Sequence, residues 1–201
     1  MFLDIETLPA EAGMKDILLD LFHRKIAKNS KSSSSQTFAE YLETTGLDGS
    51  FGRICCISYC LNDSSIITLS GSEKTILEKF WTAAHSVDLF VGFNIMDFDL
   101  RFIYQRSIIF GVKPSRDLVF TRNTNTPIYD VFHEWTKWSN LGKIGLHGLA
   151  KALGLKSSKE GGIEGRDIAK AYAAGRLQDI CDYCERDVEL TRQIYRKLTF
   201  S

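Results

Sequence analysis

Two apolar runs of strand character, RICCISYC at 53 to 60 and SIITLS at 65 to 70, meet across an Asn62-Asp63 turn, and the chain beyond them alternates helical and strand patterns. That order narrows the fold, because a hairpin followed by alternating β and α units builds a mixed sheet covered by helices on both faces. The short run at 2 to 6 supplies a strand beside the hairpin. A helical period from Glu73 to about Ala84 places Ile76, Leu77, Phe80 and Trp81 on one stripe, and the strand DLFVGF follows at 88 to 93. Residues 97 to 107 suit a helix, IYDVF at 128 to 132 a fifth strand, and LHGLAKALG at 146 to 154 a helix closed by Gly154. Helix resumes from Gly165 onward with a break at Gly175. The expectation is an α/β sandwich with a mixed five-stranded sheet.

At 201 residues the chain can bury one substantial core, and ~100 to 200 residues per domain predicts a single domain over residues 1 to 201. Lysine plus arginine equals aspartate plus glutamate at 25 each, so no global positive field draws the protein to nucleic acid and local arrangement must decide its partners. No basic stretch leads into a long apolar run, and no segment approaches ~18 uninterrupted apolar residues, so neither export nor membrane insertion is expected. Five scattered cysteines read as the reduced thiols of a cytoplasmic protein. An insertion from about 10 to 50 separates the first strand from the hairpin and carries the serine-rich tract NSKSSSSQ at 29 to 36, expected as a mobile loop. The Gly- and Lys-containing connection KSSKEGGIEG at 156 to 165 has no assigned role.

Side chains alternate along a strand, so Asp4 and Glu6 share one face about 6 to 7 Å apart while Leu3 and Ile5 take the other. A buried carboxylate pair is neutralised by protonation, by basic residues or by a metal ion. The last helix runs its apolar stripe through Ile180, Cys184, Val188, Thr191, Ile194 and Leu198, with Asp187 at the border and Tyr183 one turn before it. In VGFNIMDFDLRFI at 91 to 103 the strand ends at Asn94, and Asp99 falls in the first turn of the next helix. Each signal alone has an ordinary use: a solvated strand edge, a helix-surface acid beside a packed tyrosine, an N-terminal cap. Asp97 competes with Asp99 for the capping role, which leaves Asp99 the freer of the two.

Taken together, D-x-E, N-x-x-x-F-D and Y-x-x-x-D in that order resemble the DEDD superfamily of exonucleases. FLDIET, GFNIMDFDLRFI and GRLQDICDYCERDVELT look most like the predicted 3′-5′ exonucleases related to the proofreading domain of family B DNA polymerases, and the likeness extends over nearly the whole chain. The spacing of Tyr183 to Asp187 is that of the tyrosine branch; the histidine branch would want a histidine at 182, where Asp182 stands. The resemblance implies a ribonuclease H-like fold and two divalent ions, Mg²⁺ or Mn²⁺. Asp4, Glu6 and Asp187 would hold one, Asp4 and Asp99 the other, and Tyr183 would orient the attacking water. Oxygen ligands suit these ions, and two of them about 3.5 to 4 Å apart clamp the attacking and leaving oxygens. By the same resemblance Thr7 and Leu8 would touch the terminal nucleotide, Asn94 would bind substrate or brace the site, and Phe98 would pack near the penultimate base.

The implied substrate is nucleic acid with a single-stranded 3′ end, DNA favoured and RNA the alternative. A non-catalytic nucleic-acid or partner-binding module of the same fold is the reading from another class. Cys181 and Cys184 form C-x-x-C within one helix, far in sequence from Cys56 and Cys60, and read as small core residues rather than a zinc site. His23, His85, His133 and His147 are scattered and support no nucleophile triad. Asp130 reads as a structural residue at a strand end.

Overall fold

The computed structural model of the protein describes residues 1 to 28, 36 to 139, 144 to 157 and 162 to 201. Five strands, β1 (Phe2–Leu8), β2 (Arg53–Cys60), β3 (Ile67–Ser70), β4 (Phe90–Gly92) and β5 (Ile128–Asp130), form one sheet in the order β3-β2-β1-β4-β5. β1 pairs antiparallel with β2 and parallel with β4, so the oldest-numbered strand lies at the centre, where the meander meets the parallel half. A central strand has no free edge, and that is why FLDIETL can be apolar on both faces apart from its acids. The register slips between Glu6 and Thr7, where Cys55 is the extra residue on β2.

Strand alternation sorts the core into two. Leu3 and Ile5 face a cluster with Ile57 of β2 and with Phe80, Trp81, Phe102 and Ile103, the last four contributed by helices α3 (Glu73–Ala84) and α4 (Asp99–Phe110). Phe2 and Leu8 face the other side, where α8 (Leu177–Thr199) lies across β1 and β2 with Val188, Ile194, Ile180 and Cys184 inward. Helices α6 (Leu146–Ala152) and α7 (Ile168–Ala173) add to that layer. The expected stripe of α3 is buried throughout, capped by Ser72, whose hydroxyl accepts from the Thr75 amide.

Several boundaries differ from expectation. The strand expected over 128 to 132 stops at Asp130, because its carboxylate accepts the Phe132 and His133 amides and starts α5 (Val131–Thr136). The helix expected from 97 begins at Asp99 and reaches Phe110, stopped by Gly111 in a left-handed conformation. The hairpin loop turns at Asn62 but leaves residues 61 to 66 outside the strands. The insertion contains α1 (Lys15–Lys28) and α2 (Phe38–Thr44), the latter opened by a Thr37–Glu40 capping box. The serine-rich tract lies outside the described residues except for Gln36, as do residues 158 to 161 of the 156 to 165 connection.

Candidate active site

Asp4 and Glu6 stand on the α8 face of β1, as alternation requires, and α8 brings Tyr183 and Asp187 inward beside them, both 7% exposed. Asp99 arrives from the parallel half of the sheet. Its Oδ1 accepts the Ile5 amide at 3.0 Å, so the carboxylate is fastened to β1 between the two strand acids. The expected competition with Asp97 for a capping role does not occur: α4 has no side-chain cap, and Asp97 instead meets His133 at 3.0 Å and Arg101 at 4.0 Å.

The turn that delivers Asp99 is organised by Asp130. Oδ1 accepts the Asn94 amide at 3.1 Å and Oδ2 the Met96 amide at 3.0 Å, in addition to the two amides of α5. One buried carboxylate thus holds both ends of the turn that precedes α4, the structural use expected of it. Asn94 takes a left-handed φ of 58°, which asparagine tolerates better than most residues. Gly92 completes the turn, since a Cβ there would lie 2.6 Å from Cβ of Ile95.

The electrostatics follow from crowding. Burial first, then the charges of its neighbours, among them Asp99, Asp187 and Glu6, push the Asp4 carboxyl well above its ordinary range. Glu6 is raised well above its range by the same causes, burial first. Asp99 is raised to about 7, burial again outweighing the backbone hydrogen bonds that lower it. Every leading influence on Asp4 and Glu6 acts in one direction, so the cluster is poised for protons or for a cation. Four carboxylates are hard oxygen donors, and a divalent ion of the Mg²⁺ type fits that chemistry. The Cys184 thiol lies 3.3 Å from the Asp4 carbonyl and 3.4 Å from its Oδ2, beneath the acids.

Tyr183 is raised above the ordinary phenol range by burial and then by Asp187, so it stays protonated. The Arg186 guanidinium lies 5.8 Å from its ring centre. Gly165, in a 3-10 turn at Gly165–Asp167, lies beside it: a Cβ there would stand 4.0 Å from the hydroxyl.

Of the remaining expected residues, Thr7 gives its hydroxyl to the Gly46 carbonyl at 2.7 Å and lines a groove of about 600 Å³ with Glu40, Glu43, Arg166 and Lys170. Leu8 is buried in the core against α7 and α8. Phe98 is half-buried at the start of α4, its ring 5.6 Å from Phe102. Sequence reasoning missed the part played by the insertion, whose Gly46 and Thr45 clasp Thr7 and the Ala10 amide at the exit of β1.

Residues 41 to 199 match the family profile of the RNase H superfamily. The chain belongs to the RNase H superfamily. The fold is accordingly RNase H-like, an α/β arrangement with a five-stranded mixed sheet, and the family points to nuclease-type chemistry on nucleic acid. The matched span includes Asp99, Tyr183 and Asp187 and begins after β1, so Asp4 and Glu6 come from outside it. An uncharacterized protein of Methanocaldococcus jannaschii is 38% identical over 74 residues, covering 36% of this chain and 42% of that protein. No helix among the described residues is long and apolar enough to cross a membrane.

Proposed function

We propose that the protein is a two-metal-ion 3′-5′ exonuclease that hydrolyses the terminal phosphodiester of single-stranded nucleic acid, DNA favoured, and releases nucleoside 5′-monophosphates. The observation that carries this reading is geometric: Asp4 and Glu6 offer oxygens within 4.8 Å of one another and of the Cys184 thiol, Asp99 is hydrogen-bonded to the Ile5 amide between them, and α8 turns Asp187 inward beside them. Asp4, Glu6 and Asp187 would hold one divalent ion, and Asp4 and Asp99 would hold the second. When bound, Mg²⁺ or Mn²⁺ would supply Lewis acidity to the scissile phosphate and neutralise the charge developing on the attacking and leaving oxygens.

Tyr183 orients the attacking water through its hydroxyl. Because burial and Asp187 hold the phenol protonated, it acts by hydrogen bonding rather than as a base. The groove beside Thr7 receives the 3′-terminal nucleotide, with Thr7, Arg166 and Lys170 lining it, while Leu8 packs in the core behind it and supports β1 at its exit. Asn94 braces the turn that carries Asp99, and Phe98 packs against the penultimate base. Unpaired bases enter such a site at least cost, hence a single-stranded 3′ end.

The test compares the protein with Asp4→Ala on 5′-labelled single-stranded DNA and RNA, each with Mg²⁺, Mn²⁺ or EDTA. A metal-dependent ladder shortening from the 3′ end, absent in the variant, is expected, stronger on DNA. No cleavage of either polymer by well-folded protein would replace this reading with the non-catalytic binding module.

A further inference from the structure

Another cavity, of about 620 Å³, is lined by Asp97 two residues before Asp99 and shares no lining residue with the groove beside Thr7. Asp97, Arg122, Phe132, His133 and Trp138 are among its walls. It is built by the elements that hold Asp99. Asp97 precedes Asp99 by two residues, so their Cα atoms lie within about 8 Å, and His133 belongs to α5, the helix that Asp130 caps.

The lining has the chemistry of a stacking platform. The His133 and Trp138 rings lie parallel, 4.4 Å apart with 2° between their planes. Nearby, the Arg101 guanidinium lies 5.0 Å from the Phe120 ring centre, a cation and aromatic pair beside the stack. Asp97 is the acid of the lining; the His133 ring lies 3.0 Å from it and the Arg101 guanidinium 4.0 Å. Arg122 is exposed and adds positive charge at the rim. Aromatic faces interleaved with arginine take unpaired bases with little regard to sequence.

The backbone is an independent observation. Lys137 and Trp138 are consecutive and both left-handed, at φ 48° and 61°, and Asn123 across the cavity is left-handed at 62°. Non-glycine residues occupy that region at a cost and gather at functional sites. Here the two left-handed residues end α5 and fold Trp138 back over its own helix, its amide donating to the His133 carbonyl at 3.0 Å. That return stacks the indole on His133.

We propose that this cavity binds an unpaired nucleobase of the substrate strand, upstream of the penultimate base met by Phe98. The proposal rests on the exonuclease reading for its direction along the strand. It gives the protein a grip on the strand that a dinucleotide cannot use.

The experiment measures KM for 5′-labelled single-stranded oligonucleotides from dinucleotide to decamer, and decamer binding by fluorescence anisotropy in EDTA, for the protein, Trp138→Ala and Arg122→Glu. Arg122 is exposed, so its variant keeps the test open if Trp138→Ala fails to fold. Both variants are expected to weaken decamer binding by about tenfold or more, with a KM penalty that grows with length. Decamer binding equal to the unsubstituted protein, or a penalty the same at every length, overturns the proposal. If the protein cleaves nothing but the variants still lose decamer binding, the cavity stands and the exonuclease reading falls; if it neither cleaves nor binds, both fall.

Discussion

Replacing Asp99 with asparagine separates the cost of the acid cluster from its use. The amide keeps an oxygen to accept the Ile5 amide and removes the charge. Burial is the leading cause that lifts Asp99 from 3.8 to about 7. At about 1.4 kcal/mol per tenfold, that difference opposes folding of the ionised protein by roughly 4 kcal/mol. A carboxyl that ionises less readily when folded favours folding at low pH. Its contribution is complete below the unfolded value of 3.8 and is lost as pH rises toward 7, beyond which the deficit is constant.

In EDTA, then, Asp99→Asn should match the unsubstituted protein near pH 3.5 and exceed it progressively to pH 8. The full difference, at about 2 to 4 °C per kcal/mol for a chain of this size, is a gain of roughly 8 to 16 °C in Tm. Urea unfolding at several pH values measures it directly. Added Mg²⁺ should narrow the gap at pH 8, because the ion stabilises the folded state with the logarithm of its concentration over Kd and the variant binds it less tightly. Equal stabilities at pH 8 in EDTA, or a variant less stable than its parent there, would refute the argument that burial holds this carboxyl up.

Three further outcomes are expected. Tyr183→Phe removes the hydroxyl but not the ring, so single-turnover cleavage should slow by about 10²-fold while the Mg²⁺ concentration giving half activity stays within about twofold. Asp130→Ala strips the acceptor from four amides, of Asn94, Met96, Phe132 and His133; denaturant unfolding should show a loss of about 3 kcal/mol or more, and cleavage should fall because the turn before Asp99 loosens. Glu73→Ala leaves Arg106, 8% exposed in its side chain and bonded to Glu73 at 2.7 and 2.9 Å, without its partner. The expected cost is about 3 to 5 kcal/mol by urea unfolding, with metal affinity unaffected.

The strands and the inward acids were legible because their signals are local. D-x-E in an apolar run, the stripe of α8 and the Phe-Asp opening of α4 each announce a side chain's face through the element's own period. What was hidden depends on distant partners. α1 buries only Leu18 and Phe22 of its described face and leaves Ile17 and Ile26 exposed, so its apolar stripe is too thin to separate from polar insertion sequence. Asp97 looked like a cap because the position of His133 cannot be read from the chain around residue 97. The cysteines are the clearest case: Cys56 was set apart from the C-x-x-C pair by sequence distance, yet folding α8 onto β2 packs Cys56, Cys181 and Cys184 into one buried cluster. They remain free thiols.

The contact between Asp4 and Cys184 joins residues 180 positions apart. A ribosome adding about 5 to 20 residues per second needs roughly 10 to 40 s to cover that distance. Through that interval the nascent chain displays the first pair of acids without α8, and no partial product carries the full cluster. A chain broken before α8 is translated therefore lacks both Tyr183 and Asp187. The assembled cluster exists only once α8 has docked on β1 and β2.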